Sequence, residues 1–177
     1  MGGLQSNQSV TALRLEGPAI SIAQRKKNLI AHFKGRHCEC LAEGDSKQLW
    51  ASVRDVVPLA ALDSHIWRIS TSPTEGSRVV ETIRKAEAPV TGWYYDWAGA
   101  LIWLATKSTS AACVSAIRAT VDGFGGHATL VRAPDEIRSR TPVFHPQQTA
   151  LAMLSARVKH NFDPASVLNR GRLREDI

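Results

Sequence analysis

The stretch that decides the fold opens with His65-Ile66-Trp67-Arg68-Ile69-Ser70-Thr71 and runs to the alanine at position 133. In these first seven residues Ile66, Arg68 and Ser70 alternate with Trp67 and Ile69, which is the period of a strand. Further along, two strand patterns enclose Ala98-Gly99-Ala100 and predict a hairpin. The whole stretch is predicted to hold strand, helix, strand, strand, helix and strand, over residues 65–71, 72–86, 93–97, 101–105, 108–121 and 127–133.

This order of elements is that of a ferredoxin-like split βαβ unit, which is an antiparallel sheet with helices on one face. Before it, residues 10–16, 21–33 and 37–41 follow strand, helix and strand patterns, and a helix from an N-cap at Ser46 follows them. After it, residues 147–162 predict an amphipathic helix that packs its apolar face inward, with Leu154 and Phe162 on that face, so that truncating either side chain should leave a cavity. We therefore expect an α+β fold whose ferredoxin-like core is extended by an N-terminal strand-helix-strand and ends in a helix and tail. Residues 1–10 are expected to be weakly ordered, and residues 11–177 to form a single domain.

Charge and hydropathy argue against two classes of protein, nucleic-acid binders and membrane-spanning proteins. The chain of 177 residues has 22 basic and 16 acidic side chains, which gives a net charge of +6. The basic residues do not form one stripe interleaved with aromatic residues, so a nucleic-acid binder is disfavoured. No apolar run approaches the roughly 20 residues of a membrane span, and the N-terminus lacks a signal peptide pattern. These features predict a cytoplasmic protein.

Three cysteines, Cys38, Cys40 and Cys113, are too few for a disulfide framework. Cys38 and Cys40 lie two residues apart beside His37, which is compatible with a metal site or with a strand that buries two thiols. No second Cys/His pair at ligand spacing lies nearby. No metal is predicted. The tryptophans at 67, 93, 97 and 103 are expected to serve packing rather than ligand stacking.

The tail reads Val158-Lys159-His160-Asn161-Phe162-Asp163-Pro164-Ala165-Ser166-Val167-Leu168-Asn169-Arg170-Gly171-Arg172. Asp163 precedes a proline and is therefore held away from helical geometry, so the last helix is predicted to end there. Gly171 frees the chain beyond Asn169. From the residues alone, Asn169 either projects as a donor and acceptor from the end of a packed helix or only caps the turn.

The run K-x-x-F-D-P-x-x-x-L-N-x-G-R in this tail resembles the ending of FAD-linked oxidases of the vanillyl-alcohol oxidase superfamily. Within that superfamily the chain is most similar to the FAD-binding E subunit of bacterial glycolate oxidases. Three internal segments carry the same resemblance, at residues 15–17, 93–103 and 125–134, so that it covers about residues 11–173. The sequence departs from the superfamily at Arg170, where proline is usual.

The resemblance implies the C-terminal cap part of a flavin-binding subunit that works with a catalytic flavin subunit and an iron–sulfur subunit. It places Asn169, Gly171 and Arg172 near the flavin ring, and it offers His127 and Arg132 as further cofactor-binding residues. Val131-Arg132 stands where subunits that oxidise a hydroxyacid carry a Glu-His pair, and no His-x-Gly-Asp segment occurs. The resemblance therefore implies a flavin-binding partner subunit without a metal, cytoplasmic or held peripherally at the inner membrane through its partners.

The superfamily's flavin domain, with its glycine-rich pyrophosphate loops, has no counterpart in this sequence. We therefore expect the parent protein to be an FAD-dependent oxidoreductase, and this chain alone neither to retain FAD nor to catalyse. The alternative from another class is a free-standing ferredoxin-like module that binds a small ligand or a protein.

Overall fold

A computed structural model describes residues 9–60, 63–86 and 88–171 of the chain. It contains seven α-helices and four β-strands within those residues. The helices are α1 (Ala19–His32), α2 (Glu43–Arg54), α3 (Val57–Ala60), α4 (Gly76–Lys85), α5 (Ala111–Gly123), α6 (Asp135–Arg138) and α7 (Thr149–Phe162). The strands are β1 (His65–Ser70), β2 (Val90–Asp96), β3 (Leu101–Thr106) and β4 (His127–Arg132). The chain divides into two compact units, Met1–Pro58 and Leu59–Ile177. That residues 11–177 form a single cap domain stays a prediction.

The four strands form one antiparallel sheet in the order β2-β3-β1-β4. In this order β3 lies between β1 and β2, and β4 pairs with the other side of β1, as in a ferredoxin-like split βαβ unit. The α+β class and the ferredoxin-like core are therefore confirmed. The register places Arg68 opposite Trp103 on β3 and opposite Thr129 on β4.

The core lies between one face of this sheet and the helices α4 and α5. Trp67 and Ile69 on β1 are fully buried, and so are Ile83 on α4 and Ile117 on α5. Alternate residues of each strand point to opposite faces, so Trp67 and Ile69 share the core face, whereas Arg68 lies on the other. The other face, which carries Arg68, is called the open face below.

The outer edge of β4 is covered by the loop at residues 142–145. Leu130 donates its backbone N–H to the carbonyl of Val143 at 2.9 Å, and Ala128 donates to Nδ1 of His145 at 3.2 Å. The Arg118 guanidinium of α5 holds this loop through the carbonyls of Pro142 and Phe144. The outward-facing amides of Ala128 and Leu130 are thereby satisfied.

The two strands predicted in the N-terminal unit were wrong. Residues 10–16 and 37–41 have no strand structure, and Val10, Leu13 and Leu41 are exposed. Cys38 and Cys40 are exposed as well, rather than buried on a strand. An alternating pattern of five to seven residues specifies a strand only where a neighbouring strand pairs with its backbone. The sheet of the described chain offers these segments no such partner. The helix predicted from an N-cap at Ser46 begins at Glu43.

The prediction that α7 packs its apolar face inward was also wrong. No residue of α7 is buried, and Leu154 and Phe162 are 53% and 85% exposed. The amphipathic pattern fixes which side of the helix is apolar, but it does not supply the surface that covers that side. The apolar face of α7 is therefore uncovered in the described part of the chain.

Candidate functional site

The tail after α7 is a closed turn built around the carboxylate of Asp163. This side chain is buried and accepts the backbone N–H of Val167 at 3.0 Å and that of Leu168 at 2.9 Å. Lys159, one helical turn earlier, forms an ion pair with the same carboxylate and donates to the carbonyl of Leu168 at 2.6 Å. Lysine, aspartate and the backbone of Leu168 thus close one network, which fixes the chain as far as Leu168.

The charge state of Asp163 follows from these contacts. The hydrogen bond from Lys159 and those from the amides of Leu168 and Val167 lower the pKa of Asp163 to about 2, because each stabilises the ionised form. Asp163 is therefore a carboxylate throughout the neutral and mildly acidic range. The helix ends at this residue, whose φ of −143° is not helical, as the following proline predicts.

Asn169 follows the closed turn directly and is exposed. Its φ of 49° lies in the left-handed region, which asparagine tolerates better than most residues. Gly171, two residues on, has a φ of 70° and no neighbouring atom within 4 Å of where a side chain would begin. Arg172, the third tail residue expected to contact a cofactor, lies outside the described residues. The structure thus places Asn169 at the surface at the end of a fixed turn.

His127 and Arg132, the two cofactor-contact candidates on β4, stand in different environments. His127 is exposed at the start of the strand, where its backbone pairs with Ser70. The Arg132 guanidinium donates to the backbone carbonyls of Ala60 at 3.0 Å and Ser64 at 3.2 Å. Arg132 therefore holds the segment before β1 against the end of β4. The structure does not bring these two residues together with the described tail residues.

The open face of the sheet carries a cation that was not among the residues singled out from the sequence. Arg68 lies half-buried at the centre of this face, with Trp103 as its direct neighbour on β3. Tyr94, on β2, is the next residue in the same row. Among the described residues, Arg68 makes no hydrogen bond or ion pair, and its guanidinium lies 5.8 Å from the ring centre of Trp97. A charged residue between Trp67 and Ile69, in the middle of a strand, was the sequence feature that could have identified it.

A tight turn between β2 and β3 positions Trp97 beside Arg68. Trp97, Ala98 and Gly99 have φ values of 49°, 54° and 98°, so three successive residues adopt left-handed geometry. The Asp96 carboxylate accepts the backbone N–H of Trp97 at 2.8 Å and caps the turn. The indole of Trp97 is 64% exposed. Left-handed geometry costs about 1–2 kcal/mol at each of the two non-glycine residues. Such strain is typical of functional sites.

A cleft of about 620 Å³ also runs along the outer side of α5, beside Arg118 and Asp122. Both charged groups are already engaged, because Arg118 binds the carbonyls of the 142–145 loop and Asp122 lies 2.8 Å from Nε2 of His145. These contacts fit a role in holding the loop. The cleft offers no set of groups arranged for acid–base or nucleophilic chemistry within the described residues.

The described residues contain no group of three or more metal-ligating side chains. In the same part of the chain, no helix has both the length and the apolar character that crossing a membrane requires. Comparisons of this chain with family models, with curated proteins and with solved structures find no match. The candidates for function are the tail turn, with its exposed Asn169, and the open face of the sheet, with Arg68.

Proposed function

We propose that this chain is the C-terminal cap portion of a flavin-binding subunit of a glycolate oxidase-like enzyme. The whole enzyme would oxidise an α-hydroxy acid through FAD, and this chain alone would be inactive. Its partners would be a catalytic flavin subunit and an iron–sulfur subunit, and the assembly would lie in the cytoplasm or peripherally at the inner membrane.

The observation that carries this proposal is the tail turn. The Lys159–Asp163–Leu168 network accounts for three residues of the motif on which the resemblance to FAD-linked oxidases rests. It fixes the backbone that leads into Asn169 and leaves that side chain exposed. A rigid, exposed asparagine can donate and accept hydrogen bonds at the edge of a heteroaromatic ring.

Exposed apolar side chains near the tail turn favour the docking of another protein domain there. Exposed apolar side chains lie along α7 and in the tail, where Phe162, Val167 and Leu168 are 85%, 74% and 59% exposed. Apolar side chains that cluster on a surface are typical of an interaction site. In the proposal, a flavin domain covers them, and the cap lies over the reactive face of the ring.

The described residues suit contact with the ring edge of a flavin but not with its pyrophosphate. Pyrophosphate binding needs backbone amides from a glycine-rich turn that leads from a strand into a helix. The glycines at 123, 125 and 126 lead from α5 into β4, which is the opposite order. Bound flavin would supply the redox chemistry. Asn169 would orient the ring, whereas the amides that hold the pyrophosphate must come from another domain.

The test compares the isolated chain with the full-length subunit encoded together with the sequence upstream of Met1. The purified chain should show no flavin absorbance at roughly 370 and 450 nm, and the full-length subunit should show both bands. In the full-length subunit, Asn169→Ala should lower flavin content or turnover. Asn161→Ala should change neither, since Asn161 is an exposed asparagine within α7.

Three results would contradict the proposal. The first is stoichiometric FAD retained by the isolated chain. The second is an upstream reading frame without a glycine-rich flavin domain. The third is a full-length Asn169→Ala subunit that keeps its flavin and its rate. The free-standing ferredoxin-like module is then the better description, and the uncommitted Arg68 on the open face is the observation that favours it.

A further inference from the structure

We propose that the open face of the sheet carries a binding site for a small carboxylate with a flat, apolar body. Arg68 would bind the carboxylate, and the indoles of Trp97 and Trp103 would hold the body. The site needs neither a bound flavin nor a second domain. It would be formed by Arg68 and Trp103 on the open face and by Trp97 on the turn between β2 and β3.

The Arg68 guanidinium makes no hydrogen bond within the described part of the chain. It has five N–H donors, and none of them donates to a residue that the structure describes. The side chain is nevertheless half-buried in the middle of the sheet. A partly desolvated cation without a hydrogen-bonded partner costs free energy that a bound anion would recover.

The Trp97 ring lies beside the guanidinium of Arg68. The Arg68 guanidinium carbon lies 5.8 Å from the centre of the Trp97 ring, which is a cation–π contact. This contact with a ring uses none of the N–H donors of the guanidinium. Two of them can bind the two oxygens of a carboxylate in bidentate fashion.

Aromatic side chains surround the same guanidinium. Trp103 is the cross-strand neighbour of Arg68, so the Cβ atoms of the pair lie about 4.5–5.5 Å apart. Tyr94 continues the row beyond Trp103. Burial, with the negative charge of Asp96 adding to it, raises the pKa of Tyr94, so this phenol is neutral at physiological pH. Arg68 is thus a cation beside uncharged aromatic groups, which suits an anion attached to an apolar body.

The turn that carries Trp97 is rigid. Its last residue, Gly99, packs so closely on Gly76 that a Cβ at Gly76 would lie 2.2 Å from the Gly99 carbonyl oxygen. The turn therefore cannot move toward α4. Three left-handed residues and the Asp96 cap hold the exposed indole of Trp97 in place. Because this indole is 64% exposed, its burial does not offset the free-energy cost of the left-handed geometry.

The charge balance of the open face favours a monoanion over a nucleic acid. Arg68 is one cation on this face. Asp96 lies on the same face, two residues along β2 from Tyr94, and its cross-strand neighbour is Leu101 on β3, which pairs with Ser70 on β1. Binding of a nucleic acid draws on several phosphate contacts, each made by a separate cation or donor. A carboxylate needs only one guanidinium.

The test uses the chain as it is, with phenylacetate as the probe. The readout is the indole N–H resonance of Trp97 during titration, assigned by its loss in Trp97→Phe. We expect saturable binding with a Kd of about 1 mM or tighter. Acetate, which lacks the flat body, and phenylacetamide, which lacks the charge, should each bind at least about tenfold more weakly.

The matched control variant is Arg84→Gln. Arg84 lies 5.0 Å from the ring centre of Trp93, so it forms the same kind of pair on a different part of the molecule. Arg68→Gln should weaken phenylacetate binding by about ten- to hundredfold, and Arg84→Gln should leave it unchanged. Trp97→Leu, at an exposed position, provides a second variant that should weaken binding by at least about threefold, followed through the indole N–H resonance of Trp103 because Trp97 is absent. Thermal melting checks that each variant is folded.

The proposal is overturned if the Trp97 resonance shows no saturable shift, or if Arg68→Gln and Arg84→Gln act alike. It is also overturned if phenylacetamide binds as tightly as phenylacetate. Tighter binding of a single-stranded oligothymidylate, lost in Arg68→Gln, would identify the open face as a nucleic-acid surface instead. None of these results depends on FAD, so failure of this proposal does not bear on the flavin proposal.

Discussion

Lys159 and Asp163 form an ion pair one helical turn apart at the end of α7, and the chain closes around that pair. The ammonium group also donates to the carbonyl of Leu168, and the carboxylate accepts the amide of the same residue. One lysine and one aspartate therefore satisfy both backbone groups of Leu168. The turn is held by charge-assisted hydrogen bonds rather than by burial of apolar surface.

The amides of Val167 and Leu168 should lose protection when the Asp163 carboxylate is removed. Asp163→Asn keeps the size of the side chain but not its charge, and it can no longer accept both amides as strongly. We expect hydrogen exchange at these two amides to become about ten- to hundredfold faster, while exchange in β1 stays unchanged. Asp135→Asn, at the exposed start of α6, is the control. Equal exchange in the two variants would contradict the network.

The Asp163 carboxyl should titrate far below the ordinary range. The folded pKa of about 2 lies below the value of about 3.9 for an unfolded aspartate. The contribution of Asp163 to stability is therefore fully present above about pH 4 and is lost as the pH falls through about 2. The carboxyl carbon shift of Asp163, followed by NMR from about pH 7 to about pH 1.5, should give a midpoint of about 2. A midpoint close to about 4 would show that Lys159 and the two amides do not hold the ionised form.

Truncation in the core and on α7 should have very different effects on stability. Leu104 and Ile117 are fully buried between the sheet and α5, so Leu104→Ala or Ile117→Ala should cost about 2–5 kcal/mol. Phe162→Ala should change the free energy of unfolding by less than about 0.5 kcal/mol, because the ring is 85% exposed. Urea unfolding of the chain measures both. A loss of about 2 kcal/mol or more in Phe162→Ala would mean that another part of the chain covers the α7 face.

The close approach of Gly76 to Gly99 should make position 76 intolerant of any side chain. A Cβ at Gly76 would lie 2.2 Å from the backbone oxygen of Gly99, and neither backbone can yield easily. Gly76→Ala should destabilise the chain by about 1–3 kcal/mol or more.

Gly123→Ala is the control for this substitution, because Gly123 is a helical glycine with no neighbouring atom within 4 Å of where a Cβ would lie. It should raise stability by about 0.5–1 kcal/mol, since alanine favours the helix. Thermal melting of both variants checks the pair of predictions. Similar melting temperatures for the two would show that the turn beside Gly76 is mobile.

The sheet could be predicted from sequence because local pattern and long-range pairing agree between residues 65 and 133. Each predicted strand there has a partner, and the strand order follows from the sequence of elements. Residues 10–16 and 37–41 have patterns of similar quality, yet they form no strand. The sequence of a segment shows whether apolar and polar residues alternate in it. Whether the segment forms a strand also depends on a pairing strand elsewhere in the chain.

In the candidate sites too, features set by neighbouring residues could be predicted from the sequence, whereas contacts between distant residues could not. The end of α7 at Asp163 follows from the proline next to it. The role of the carboxylate, however, depends on how the chain returns through Val167 and Leu168. In the sequence, Arg68 is one member of an alternating strand. Its relation to Trp103 depends on the pairing of β1 with β3, and its relation to Trp97 depends on a left-handed turn. No local pattern of residues predicts either relation.

The covering of β4 by the 142–145 loop makes the two sides of the sheet unequal. One border is sealed by hydrogen bonds to Val143 and His145, whereas the other border is β2. A strand from another molecule that extends this sheet must therefore add at β2. The register of β2 shifts between Val90 and Gly92, so regular pairing is available only from Gly92 to Asp96. The sheet can grow in one direction only, and by a short strand.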